Sequence, residues 1–168
     1  MAWKPKPFIY VMKKVIELRK LTDSFYLDYP ASLYPEIEQK KGRPYVVLLV
    51  RISENLFAIP LRTNIRHNYC YKFKNTGRKT DSSTGIDFTK AIVVKKQLYL
   101  GEETNIDDKE YLELQNKAFF IIKQFKRYVK GFILTRTTEV NDYLKRKYKY
   151  TTLDYFYDVL IKKVELVS

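Results

Sequence analysis

With 168 residues, 45% of them hydrophobic and including ten Phe and fifteen Tyr, the chain can bury one sizeable core and is far from a disordered composition. Its 32 Lys+Arg against 19 Asp+Glu leave a formal net charge of +13; such a field concentrates polyanions, nucleic acid above all, with an AT-rich coding bias as the competing explanation. One cysteine (Cys70) and one histidine (His67) exclude an intramolecular disulfide, a Cys/His zinc site and two-histidine acid–base catalysis.

In chain order, residues 1–8 read as a flexible tail, since Lys4-Pro5-Lys6-Pro7 cannot be helical. The apolar run Phe8–Met12 is shorter than a signal-peptide core of roughly 7–15 residues, and no run reaches the ~20 residues of a membrane span. The expectation is a soluble, cytoplasmic protein. Ile9–Leu18 alternates loosely, as a strand does. Thr22-Asp23-Ser24 caps one or two helical turns ahead of Pro30, and Ala31–Gly42 is an irregular connection. Tyr45–Ile52 is nearly all β-branched or apolar, as a central strand would be, and turns at Ser53-Glu54-Asn55 into a partner strand, Leu56–Leu61. After the polar loop Arg62–Asn68, a third strand over Tyr69–Lys74 alternates strictly. Asn75–Thr84 reads as a mobile turn-rich segment. Phe88–Val94 is a further short strand, with Leu98–Leu100 beside it.

From here the period changes to 3.6. Asp107-Asp108 supplies first-turn acids to a helix whose stripe (Tyr111, Leu114, Ala118, Ile121, Ile122, Phe125, Val129) ends at Gly131. Shorter helices fit Thr138–Lys147 and Leu153–Lys163. Strands followed by helices give an α+β chain, 1–168 forming one domain.

The stretch Asn55–Thr80 holds six basic residues (Arg62, Arg66, Lys72, Lys74, Arg78, Lys79) and no acidic one. Cations spaced along a chain and interleaved with aromatics suit single-stranded RNA, which needs backbone neutralisation and flat faces for unstacked bases. Tyr69, Tyr71 and Phe73 either supply those faces or point into the core. The loop Leu61–His67 places hydroxyl, amide, guanidinium and imidazole groups within seven residues. There Arg62 and Arg66 could clamp a phosphate, Thr63 could orient a 2′-hydroxyl, and His67 could carry a proton or be purely structural. The acid pairs Glu102-Glu103 and Asp107-Asp108 fit helix-end electrostatics better than a metal site, so no metal is expected. The five glycines form no phosphate loop or dinucleotide fingerprint, and no cofactor is implied.

Gly42-Arg43-Pro44-Tyr45, the run Phe57–His67, Thr84–Ala91 and the helix bearing Lys117 together resemble the toxins of type III toxin–antitoxin systems. The likeness is to the ToxN/AbiQ group, its CptN- and TenpN-like branches in particular, over about Val11 to Gly131. It implies a strongly twisted antiparallel sheet of the MazF/Kid kind, a partial barrel, and a metal-independent, sequence-specific endoribonuclease. Such enzymes cut single-stranded cellular RNA by 2′-hydroxyl attack, leaving a 2′,3′-cyclic phosphate. They are restrained by a pseudoknot RNA antitoxin processed from tandem repeats, close with it into cyclic heterohexamers, and act in phage defence. By this resemblance Pro60-Leu61-Arg62-Thr63 matches the strand-end motif, and Thr63 stands where the family has its active hydroxyl. Asn64 would help it position the scissile nucleotide. Arg43 replaces the lysine ahead of the central strand, with Lys40 and Lys41 as alternatives, and Lys117 matches the helix lysine. The second class of reading is a non-catalytic RNA-binding protein using Tyr69, Tyr71, Lys72, Lys74, Arg78 and Lys79 without the loop. A DNA-binding regulator lacks a recognition helix.

Overall fold

The structure, a computed structural model, describes residues 16–39, 45–78 and 83–162. At its centre is the hairpin of β2 (Val46–Ile52) and β3 (Asn55–Arg62), in register from Val47 opposite Pro60 to Ile52 opposite Asn55. The turn is made by Ser53, whose φ of 54° lies in the left-handed region. β1 (Leu18–Leu21) pairs with β2, and β7 (Leu100–Glu103) pairs with the far side of β1.

The other flank of β3 is shared. β5 (Gly85–Asp87) pairs with its end at Leu61–Arg62, and β6 (Ile92–Val93) pairs with its beginning at Phe57–Ala58. Between these two strands the chain leaves the ladder as a 3₁₀ turn, Phe88–Lys90. β4 (Cys70–Lys72) closes this end by pairing with β5, and a Cβ at Gly85 would collide with the Tyr71 carbonyl of that pair. Among the described residues the sheet has seven strands, and every pairing is antiparallel.

The short helix α1 (Asp23–Asp28) follows β1 and buries Phe25. The long helix α2 (Asp108–Thr137) follows the sheet and buries Leu114, Ala118, Ile121, Phe125, Val129 and Phe132. Phe125 meets Phe57 of β3 edge-on at 5.2 Å and Phe88 at 5.5 Å, so helix and sheet share one core. Two short helices end the described chain, α3 (Asp142–Lys147), capped by the Asn141 side chain, and α4 (Tyr157–Ile161). The α+β class, the long helix after the sheet and the C-terminal helices agree with expectation. No helix among the described residues is long and apolar enough to cross a membrane.

The helix expected over Thr138–Lys147 starts only at Asp142, behind its Asn141 cap; that over Leu153–Lys163 opens as a 3₁₀ turn, Thr152–Phe156; and the strand expected at Leu98–Leu100 is a 3₁₀ turn, Gln97–Tyr99, leading into β7 beside β1. Four further boundaries differ, each for a local reason. α2 runs on past Gly131, which is no stop signal. A Cβ there would meet the Tyr148 hydroxyl, and the glycine admits that ring against the helix. The strand expected over Phe88–Val94 is interrupted, because Asp87 accepts the Thr89 N–H at 3.0 Å and starts the 3₁₀ turn. The strand expected over Tyr69–Lys74 contracts to three residues, since Glu113 of α2 takes the backbone N–H groups of Lys74 and Asn75 at 2.9 and 2.8 Å. Of Asn75–Thr84, expected to be mobile, residues 75–78 are docked onto α2: Gly77 N–H donates to Asp107 and Thr76 Oγ1 to Glu110. The tail and most of the strand placed at Ile9–Leu18 lie outside the described residues.

Candidate nucleic-acid interface

The carboxylate of Asp87, fully buried where β5 ends, organises a cluster of polar side chains. Its Oδ1 accepts the Thr89 N–H at 3.0 Å and the Thr89 hydroxyl at 2.7 Å, and faces His67 Nε2 at 3.3 Å. Its Oδ2 accepts from Arg62 Nη1 at 2.6 Å. A buried carboxylate is stable only when its oxygens are saturated in this way. Arg62, the last residue of β3, gives its other terminal nitrogen to Glu38. Burial pulls the Arg62 pKa down, but the hydrogen bond and charge of Asp87, with the charge of Glu38, outweigh it, so the guanidinium stays charged.

His67 is oriented from both sides. The Tyr69 backbone N–H donates to Nδ1 at 3.1 Å, and Nε2 on the other side of the ring faces Asp87. The rings of His67 and Tyr69 lie nearly parallel, 23° apart with centroids 5.8 Å apart. Lys147 of α3 extends over the Tyr69 ring at 5.4 Å. Beside it, Lys90 Nζ contacts Glu36 at 2.6 Å and the Tyr150 carbonyl at 3.4 Å.

These groups line an open cleft of about 340 Å³, with Arg62 and His67 in its floor and Tyr69, Arg146, Lys147 and Tyr150 around it. A second hollow of about 210 Å³ shares Tyr69 and Lys147 and adds Gln124 and Arg127 from α2. Cations and aromatic faces line both hollows, the pairing that single-stranded nucleic acid requires, and Glu36 and Glu38 stand among the cations of the larger one.

The residues singled out from sequence separate into groups. Arg62, His67 and Tyr69 come together in the cleft. Thr63, Asn64 and Arg66 stand exposed in the loop after β3, outside the lining of both hollows, and Asn64 adopts a left-handed φ of 58°. Buried Ile65 pins that loop, its N–H donating to Ser83 O at 3.1 Å. Lys117 is exposed on α2 and lines neither hollow. Tyr71 is buried and donates its hydroxyl to Glu113 at 2.7 Å, so its ring is core and not a stacking platform. Lys72 is half-buried and Lys74 exposed, while Arg78 is held by Glu110 at 3.2 Å. Lys40, Lys41, Arg43 and Lys79 lie outside the described residues.

Sequence reasoning passed over Asp87, Glu38, Lys90, Arg146 and Lys147. For Asp87 a signal exists: an acid inside the apolar run Gly85–Phe88, two residues before a threonine, is an Asx-turn former that must find a cation when buried. The basic triplet Lys145-Arg146-Lys147 ends α3, and only the fold carries Arg146 and Lys147 to the cleft. Among the described residues no group of three or more His, Cys, Asp and Glu is placed to hold a metal ion. No family model, no curated protein and no solved structure matches the chain.

Proposed function

We propose that this chain is an RNA-cleaving toxin of the type III kind, built on a MazF/Kid-like partial barrel. It cuts single-stranded RNA without a metal and is restrained by a folded RNA antitoxin in a cyclic complex. The observation that carries the reading is the Asp87 cluster, which fixes a guanidinium and an imidazole in the floor of a groove walled by Tyr69, Tyr150, Arg146 and Lys147. RNA brings its own nucleophile, so positioning and charge stabilisation are what the protein must add. In the reaction the 2′-oxygen bonds to phosphorus and the P–O5′ bond breaks. The 2′-hydroxyl proton leaves to a base and O5′ receives a proton. Arg62, Arg146 and Lys147 are placed to offset the charge on the phosphorane. His67 accepts from the Tyr69 N–H and faces Asp87 with Nε2, so both ring nitrogens have neighbours; proton transfer to substrate requires release of one of those contacts.

The test is cleavage of a single-stranded RNA pool in EDTA with end-group analysis. Cleavage with 2′,3′-cyclic phosphate and 5′-hydroxyl ends is expected. Tyr69→Ala should weaken RNA binding by about 1–3 kcal/mol, roughly 5- to 150-fold, through loss of a stacked base. Activity lost in EDTA, or a 3′-hydroxyl product, refutes the mechanism. Binding without cleavage supports the second reading, a non-catalytic RNA-binding protein. That reading is favoured by the exposed position of Thr63, Asn64 and Arg66 away from the groove lining.

A further inference from the structure

Two of the cations that line the cleft are covered by acids from one short segment. Glu36 reaches Lys90 Nζ at 2.6 Å, and two residues later Glu38 takes the outward nitrogen of Arg62. The backbone between them is anchored independently of these pairs. Ile37 is buried, its N–H donates to Tyr34 O at 3.0 Å, Glu36 N–H donates to the Tyr155 hydroxyl at 3.1 Å, and Gln39 donates to Tyr29 O at 2.9 Å. The two carboxylates, each about a third or more exposed, are therefore held over the cations by a fixed strap. Arg62 is gripped from within by buried Asp87, and its place does not depend on Glu38.

We propose that Arg62 and Lys90 form a phosphodiester-binding subsite, and that Glu36 and Glu38 occupy it in the resting chain as internal substitutes for phosphate oxygens. The carboxylate geometry supports this. Each acid places an oxygen on a cation where a phosphate oxygen would sit, and an arriving phosphodiester would exchange with them one contact for one. The subsite thus admits only a ligand that brings its own negative charge into the cleft, and its net affinity is the surplus over the strap's two ion pairs. The inference rests on the RNA-binding reading of the cleft and extends it to how the cleft is kept closed to weaker anions.

The mask has a consequence for salt dependence. A cation already neutralised by a glutamate releases no counterion when phosphate replaces that glutamate; an uncovered cation releases one. Removing both acids should steepen the plot of log affinity against log salt by about 0.7 per cation, roughly 1.4 for two. The experiment measures binding of a fluorescent single-stranded RNA oligomer across a salt series. It compares the wild type, Glu36→Gln/Glu38→Gln, and Glu36→Asp/Glu38→Asp, which keeps the charge but draws each carboxylate back by about 1.5 Å. A charge-matched control, Glu102→Gln/Asp108→Asn, alters exposed acids outside the cleft lining. The glutamine variant should bind at least tenfold more tightly than the control at low salt with the steeper slope, and the aspartate variant should bind more tightly than wild type. Equal affinity and slope in the glutamine variant and the control overturn the subsite. So does an aspartate variant that binds like wild type, and this holds even if the glutamine variant fails to fold. No RNA binding by any variant, wild type included, refutes the RNA reading itself.

Discussion

Asp87→Asn is the sharpest test of how the cleft floor is built. The substitution keeps shape but removes the charge that Arg62 and His67 share, and the amide must turn a donor toward Arg62 Nη1 or toward Thr89 and His67. Breaking a buried ion pair by neutralising one partner costs about 3–5 kcal/mol. Arg62 keeps Glu38 and its side chain is 20% exposed, so the low end applies, about 3 kcal/mol. In a chain of this size that is a fall of roughly 6–12 °C in melting temperature. Urea unfolding of Asp87→Asn, Arg62→Gln and the double variant gives the cycle, and the two losses should be strongly non-additive. Imidazole ¹⁵N shifts read the histidine separately: the Tyr69 N–H holds Nδ1 as an acceptor in both proteins, so Asp87→Asn should move the Nε2 signal more than the Nδ1 signal. A loss below about 1 kcal/mol, or singles that simply add, refutes the claim that Asp87 holds this floor together.

Two further outcomes follow from the packing around α2. Burial pushes the Glu113 pKa up, but its hydrogen bonds from Tyr71, Lys74 and Asn75 outweigh this and hold it below the ordinary 4.5. A depressed carboxylate stabilises the fold above its unfolded pKa and loses that contribution as pH falls through the folded value. Glu113→Gln should therefore cost about 2–3 kcal/mol near neutrality, in line with hydrogen bonds to a charged group, and the gap to wild type should close as pH drops below about 4.5; a gap that is constant with pH counts against it. Gly131→Ala should destabilise by about 1–3 kcal/mol although alanine is the better helix former by ~1 kcal/mol, because the new methyl meets the Tyr148 hydroxyl, which donates to Tyr128 O at 2.8 Å. Thermal melts decide the sign, and a stabilised variant refutes the close approach.

What was legible in the sequence was local and periodic. The β2–β3 hairpin announces itself by its β-branched run and short turn, and α2 by its stripe and by Asp107, which caps it through the N–H groups of Lys109 and Glu110. The rule that function-bearing loops follow rigid strands pointed to Thr63, which stands exposed outside the cleft, while its neighbours Arg62 and His67 line it. The acid-free stretch misled for a physical reason: emptiness of acids along the chain says nothing about space. Arg62 meets Glu38 and Asp87, and Arg78 meets Glu110, all from other segments. Likewise Tyr69, just ahead of β4, and Tyr71, within it, part ways: Tyr71 meets Glu113 of α2, whereas Tyr69 lies under Lys147 of α3.

The contacts that make the cleft are remote along the chain: Arg62 and Asp87 are separated by 25 residues, Lys90 and Glu36 by 54, Lys90 and the Tyr150 carbonyl by 60. Closing such loops costs entropy that only the completed core repays, whereas the β2–β3 hairpin needs no such closure. On a ribosome the hairpin can form early, whereas Arg146, Lys147 and Tyr150, which line the cleft, come much later in the chain. A nascent chain that has not yet reached them has no complete cleft to offer an RNA.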